Sequence, residues 1–173
     1  MATTVRTARA EDGEAMGRIH VESWQAAYVG VVPQDHLDAL DAEERGANWR
    51  GAIEANPDPD HGRRLVVEVD GEVVGLALVV SDRDGEDGVG EIPLIYVHPS
   101  AWGVGAGHAL MAECETELRR RGFRAAVLWV LEDNPRARRF YERQGWHPDG
   151  GRKVETIGGA ELVEIRYRRA FEA

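Results

Sequence analysis

A single cysteine, Cys114, among 173 residues rules out an internal disulfide and a cysteine-built metal cluster. Lysine is just as scarce: Lys153 is the only one, and it follows no glycine-rich segment of the kind a nucleotide P-loop needs. The six histidines contain no HxxxH pair, so no metal is expected. No apolar run approaches the roughly 20 residues that span a bilayer. The opening MATTVRTARAEDGEAM lacks the basic-then-apolar order of a secretory signal. No membrane partner is expected, and a cytoplasmic location follows by default. The length suits one domain, taken as 1–173.

What the chain has in excess is negative charge, −10 at neutral pH, which argues against a nucleic-acid partner. The charge is unevenly spread. Residues 1–100 hold 8 arginines against 20 carboxylates, whereas residues 101–173 hold 12 arginines and one lysine against 11 carboxylates. One reading is uneven surface solvation. The other is that the C-terminal half receives an anion and the N-terminal half a cation, the acidic stretch running through Glu22, Asp35, Asp38, Asp41, Glu43 and Glu44, then Asp82, Asp84, Glu86 and Asp87.

Periodicity orders the chain as β-α-α-β-β-β-α-β-α-β-β. TVRTAR (3–8) alternates as a strand, and a helical pattern runs from Glu11 and Asp12 to about Tyr28. Pro33 opens a second helix carrying Leu37, Leu40 and Trp49. After the polar loop 56–62 comes a hairpin, 64–80, turning at Asp70-Gly71. A charged, glycine-containing loop (81–90), read as mobile, precedes a strand at 91–97. Proline removes a ladder donor, so Pro93 predicts a bulge or splayed pairing there. Ala106, Leu110, Cys114 and Leu118 recur on one helix stripe, which makes Cys114 a packed core thiol. A buried strand (125–131), a helix from Asn134-Pro135 to about Gln144, and a hairpin around Gly158-Gly159 complete the chain.

The stretch HPSAWGVGAGHALM (98–111) puts Gly103, Gly105 and Gly107 at a helix entrance, where each costs backbone entropy. Such turns let backbone N–H groups close on an anion, with the helix dipole adding attraction. No lysine follows for a P-loop, and a GxGxxG fingerprint fails because positions 108 and 110 are His and Leu. A third pattern, [Q/R]-x-x-G-x-[G/A], is that of acyl-coenzyme A acyltransferases. IYVHPSAWGVGAGHALM followed by LWVLEDNPRARRFYERQGW resembles the GNAT superfamily of acetyl-CoA-dependent N-acetyltransferases over residues 91–146. ESWQAAYVGVVPQDHL (22–37) looks like the first two helices of many bacterial members.

The resemblance implies a mixed α/β (α+β) fold, a single GNAT-like domain with a mostly antiparallel sheet of six to seven strands flanked by about four helices. It implies acetyl-CoA as co-substrate, without metal, and direct transfer to a primary amine of a small molecule. A protein or peptide acceptor, or a non-catalytic acyl-CoA-binding regulatory module, stays open, as does a homodimer. The backbone at Ile95, Tyr96 and Val97 would meet the pantetheine arm. Trp102, Gly103, Val104, Gly105, Ala106, Gly107 and His108 would form the pyrophosphate turn. Trp102 and Val104 depart from the family pattern there, since an indole cannot replace a guanidinium as a phosphate partner. Asn134, Arg138 and Tyr141, at i, i+4 and i+7, would face the cofactor, with Tyr141 as general acid toward the leaving sulfur. Glu91 matches the strand glutamate that acts as base in some members. With Trp24 and Tyr28 it would line the acceptor site.

Overall fold

The computed structural model describes residues 1–57 and 62–172. Seven strands form one sheet: β1 Thr3–Thr7, β2 Arg63–Val69, β3 Glu72–Ser81, β4 Val89–Val97, β5 Ala125–Leu131, β6 His147–Ile157 and β7 Ala160–Ala170. The helices are α1 Gly13–Ala27, α2 Gln34–Asp38, α3 Ala42–Ala55, α4 Ala106–Arg120 and α5 Pro135–Arg143. Strand order is β1-β2-β3-β4-β5-β7-β6, antiparallel throughout except for the parallel pair β4–β5. The fold is of the expected mixed α/β class, with five helices among the described residues, one of them a short turn. Among the described residues no helix is long and apolar enough to cross a membrane.

Alternation along the strands sends side chains to two helix layers. On one face, Leu65, Val67, Ala77, Val79, Ala126 and Leu128 pack against the α4 stripe of Ala106, Leu110, Cys114 and Leu118. Cys114 is buried there as expected, and burial pushes its thiol pKa up, out of reactive range. On the other face, Met16 and Ile19 of α1 cover Val66 and Leu76. Val32 and Leu37, around α2, cover Leu131 and Leu162.

Four local expectations meet different outcomes. The hairpin turn forms with φ of 51° at Asp70 and 85° at Gly71, which the Asp-Gly pair accommodates. The helix expected from Pro33 through Trp49 is two helices, because Asp41 leaves helical geometry and its carboxylate caps α3, accepting from the Glu44 amide at 3.0 Å. The loop read as mobile is tied down by its own charges. Buried Asp82 accepts from the Glu86 amide at 2.8 Å, and Glu86 pairs with Arg168 at 2.8 Å. Most of the loop expected at 56–62 lies outside the described residues.

The bulge at Pro93 is present and sets the architecture of the site. Leu78 faces Leu94 and Val80 faces Glu91, so Ile92 and Pro93 together oppose Val79. On its other side β4 pairs with β5 only through Val89, Gly90 and Glu91. From Ile92 onward the two strands part.

Helix α1 is held against α3 by glycines. A Cβ added at Gly17 would stand 2.3 Å from the Ala42 carbonyl oxygen and 2.4 Å from the Gly46 nitrogen. Both obstacles are backbone, so neither can swing away. Gly17→Ala is expected to destabilise the protein by roughly 1–3 kcal/mol, the usual cost of overpacking, read as a lower urea midpoint with an unchanged slope.

Candidate active site

The parting of β4 and β5 opens a cavity of about 720 Å³, within the range of small-molecule sites. Three regions meet in it. The first is the β4 segment Ile92–Val97, which has no strand partner on the β5 side. The second is the glycine turn and the exposed edge of α5. The third is an aromatic chamber under α1 and α2, containing Trp24, Tyr28 and Trp129.

The glycine turn is built as its sequence requires. Gly103 and Gly105 have φ of 81° and 88°, and a Cβ at either would meet open space. These glycines therefore serve backbone conformation rather than packing. The first intrahelical bond of α4 runs from the Ala109 amide to the Gly105 carbonyl at 3.0 Å, leaving the amides of Ala106, Gly107 and His108 as the helix's free donors. Gly107 has another purpose: a Cβ there would come within 3.3 Å of the Phe140 ring, so it lets α5 approach.

Trp102 resolves the departure from the family pattern. Its indole N–H donates to the Val97 carbonyl at 2.8 Å, and the Arg136 guanidinium stacks 3.2 Å from its ring centroid. A cation therefore does stand at this turn, delivered from α5. Arg136, Arg139 and Arg143 all line the cavity, and among the described residues none has a carboxylate partner. Burial lowers the pKa of Arg136, yet a guanidinium remains charged. From sequence, the run PRARRFYER shows that arginines are present. Which of them share a face depends on where the helix begins.

Arg138 shows why. It is on the other side of α5, donating to the Tyr167 hydroxyl at 3.2 Å and the Glu132 carbonyl at 3.1 Å, outside the cavity lining. Asn134 is the N-cap, its side chain accepting from the Ala137 amide at 3.1 Å, so it does not share the helical phase on which the i, i+4, i+7 reading relied. Asn134 and Tyr141 do reach the cavity together.

The other expected residues divide. Trp24, Tyr28, Ile95, Tyr96, Val97, Trp102, Gly103, Gly105, Gly107 and His108 all line the cavity. His108 is oriented by a 2.7 Å hydrogen bond to Gln144. Ala106 points instead into the core, and Val104 faces solvent. The Val97 carbonyl is already engaged, accepting from Ser23 at 3.2 Å as well as from Trp102.

Glu91 is the clearest correction. It is buried beneath the loop that follows β3 and is not part of the lining. One carboxylate oxygen accepts from the Arg83 amide at 3.0 Å, the other from the Arg83 guanidinium at 2.5 and 3.0 Å. With both oxygens turned to Arg83, this carboxylate does not face the cavity. Residues that sequence reading missed are Ser23, Trp129, Phe140 and Glu164. Trp129 alone left a trace, as an aromatic within a run of aliphatic residues.

Three tyrosines converge on this space. Burial raises the pKa of Tyr141, and the neighbouring Tyr28 and Tyr96 raise it further. Burial likewise raises Tyr28, with the Asn134 side chain partly offsetting it, and Tyr96. All three stay protonated at neutral pH. Among the described residues the Tyr141 hydroxyl has no hydrogen-bond partner.

A helix start with free amides, a splayed strand pair and a phenol meet along one cavity. The profile of the Acetyltransferase (GNAT) family matches residues 20–146, from α1 through α5. The chain is 32% identical over 168 residues to an uncharacterized N-acetyltransferase, YuaI, of Bacillus subtilis, covering 94% of this chain and 90% of the relative. A mycothiol acetyltransferase of Geodermatophilus obscurus is 41% identical over 87 residues, which are 50% of this chain and 24% of that longer protein. The PaiA N-acetyltransferase of Thermoplasma acidophilum, solved in complex with coenzyme A, superposes with a TM-score of 0.71 at 20% identity, over 99% of this chain and 100% of that one. YncA of Salmonella typhimurium, solved with acetyl-CoA, superposes at 0.72 with 22% identity, over 100% and 96%. The chain belongs to the GNAT family. It is an N-acetyltransferase with acetyl-CoA as co-substrate.

The stacked pair at the turn yields a prediction. Arg136→Ala is expected to weaken coenzyme A binding about ten-fold, near 1.4 kcal/mol for a lost charge-assisted contact, while leaving the affinity for pantetheine unchanged. Calorimetry with the two ligands makes the comparison.

Proposed function

We propose that this enzyme transfers the acetyl group of acetyl-CoA directly to a primary amine of a small molecule, in the cytoplasm. The observation that carries the choice of a small acceptor is the closure of the chamber at its far end. The β6–β7 hairpin tip packs on α2, so closely that a Cβ at Gly158 would stand 2.6 Å from the Cβ of His36. Ile157 and Leu162 of that hairpin join Val32, Leu37, Trp24 and Tyr28 in one apolar cluster. A peptide lying across the site would need a groove open at both ends, and this packing blocks one of them.

Acetyl-CoA supplies the activated thioester, and the chain's residues do the rest. Arg136, Arg139, Arg143 and the free amides at the start of α4 answer the phosphates. The unpaired edge of β4 offers backbone donors and acceptors to the extended arm. The amine must be neutral to attack, and Glu91 is not assigned its proton because Arg83 occupies that carboxylate. Tyr141 holds its proton at Oη and delivers it to the departing sulfur. With a pKa well above that of a thiol, near 8.5, the phenol has no reason to rest as phenolate. It acts as a relay, receiving the proton that the acylated nitrogen sheds as it gives one to sulfur.

Purified protein with acetyl-CoA and a panel of small amines should release free thiol and N-acetylated product. Binding of acetyl-CoA without acetylation of any amine in the panel would favour a peptide acceptor or a regulatory module instead. Tyr141→Phe is expected to lower kcat by about 10- to 1,000-fold while coenzyme A affinity holds, the range of a lost general acid. Glu91→Gln is expected to leave the acidic limb of the kcat/KM pH profile in place, and loss of that limb would restore Glu91 as the base.

A further inference from the structure

Among the described residues that line the cavity, Glu164 is the only carboxylate. The acidic positions of the N-terminal half, which one of the two readings of the sequence made the draw for a cation, are absent from the lining and several are already occupied. Glu22 bonds His98, Asp41 caps α3, Asp82 holds its own loop, and Glu86 pairs with Arg168. Selection for a cation inside the chamber therefore falls to one residue on β7.

The sheet places a cation of the chain itself beside this carboxylate. Glu164 stands opposite Leu131 on β5 and opposite Lys153 on β6, so all three side chains share the chamber face. The Lys153 ammonium lies 3.4 Å from the Glu164 carboxylate, 3.4 Å from Glu155 and 4.5 Å from the Trp129 ring centroid. This is a primary ammonium ion on a carboxylate and an aromatic face, the combination that binds such ions. It is held loosely, since both contacts exceed the 2.7–2.9 Å of a good charge-assisted hydrogen bond. Arg166, 5.7 Å from the same ring, is committed to Asp149 at 2.8 Å and does not compete. The surrounding walls are apolar or aromatic: Trp24, Tyr28, Leu131 and Ile157.

We propose that Glu164 is the specificity-determining residue of the acceptor chamber, docking the acceptor as a primary ammonium ion beside Trp129 in the place that Lys153 holds in the free enzyme. The acceptor class is a primary amine with a flat apolar body. A polyamine is disfavoured, because its second charge would enter walls that offer it no partner. Glu164 acts on binding; before attack the docked ion gives one proton to solvent water, and the second leaves through Tyr141 as that phenol protonates the sulfur. This inference deepens the small-molecule reading and rests on it.

The test measures binding directly, so that it stands apart from turnover. Calorimetry follows 2-phenylethylamine and its neutral isostere 2-phenylethanol into the coenzyme A complex of wild type, Glu164→Gln and Lys153→Met. Glu164→Gln should weaken the amine about ten-fold while leaving 2-phenylethanol and coenzyme A unchanged, the latter also showing that the variant is folded. Lys153→Met should tighten the amine about two- to five-fold by removing the internal competitor. In turnover, the Glu164→Gln defect should appear in KM for the amine and not in kcat. Failure of wild type to bind 2-phenylethylamine, equal weakening of amine and alcohol, or a loss of amine affinity in Lys153→Met would each overturn the assignment. Amine binding with the expected pattern but without acetylation would overturn the small-molecule acetyltransferase reading and leave the dock standing.

Discussion

The parting of β4 from β5 after Glu91 is the constraint on which the site depends. One extra residue, Ile92 and Pro93 together opposing the single Val79, bends β4, and Pro93 has no N–H to give a neighbouring strand. A parallel ladder that continued to Val97 would fill the space with hydrogen-bonded backbone. Instead one edge of β4 is left to pair with something extended that is not a strand. The helices that follow the two strands, α4 after β4 and α5 after β5, pack on the same face of the sheet, with Phe140 seated over Gly107. The close approach permitted by that glycine brings the free amides at the start of α4 and the arginine edge of α5 to one end of the opening.

Charge is partitioned along the opening with little mixing. Arginines 136, 139 and 143 stand at the α5 end without carboxylate partners among the described residues, whereas most other arginines of the chain are paired. At the chamber end Glu164, the only carboxylate among the described residues of the lining, faces aromatic walls. An anionic acyl donor and a cationic acceptor would thus approach from opposite ends and meet at the tyrosine cluster. Trp102 belongs to this arrangement: it anchors on the Val97 carbonyl and carries Arg136, so the basic group enters the turn from a neighbouring helix.

Buried phenols suit the meeting point. A carboxylate there would repel the developing negative charge on sulfur, and an imidazole would change charge near neutral pH. Tyr28, Tyr96 and Tyr141 remain neutral donors because burial and mutual proximity both disfavour phenolate. The cost of burying Glu91 in the same sheet is met differently. Arg83 covers it completely, and in doing so fastens the loop between β3 and β4.

Local chemistry made much of this legible from the chain alone. Glycines at 103 and 105 need positive φ, Asp70-Gly71 needs a hairpin turn, Pro93 cannot sit in a regular ladder, and Asn134-Pro135 starts a helix; each follows from one or two residues and their allowed torsions. The order of elements was readable from periodicity apart from the break at Asp41, whereas the reading of the glycine turn and of Tyr141 came from the resemblance to the family. Only the tertiary structure decided which charged groups face the cavity. Arg138 turned away and Arg136 toward it, Glu91 was taken by Arg83, and Glu164 arrived from a strand 73 residues further along the chain. Such pairings depend on how a loop folds back, where a helix begins and which strands meet across the sheet, and a charge has no periodicity of its own to reveal its partner. Sequence determined the backbone that can receive an acyl donor; long-range packing determined which side chains remain free to use it.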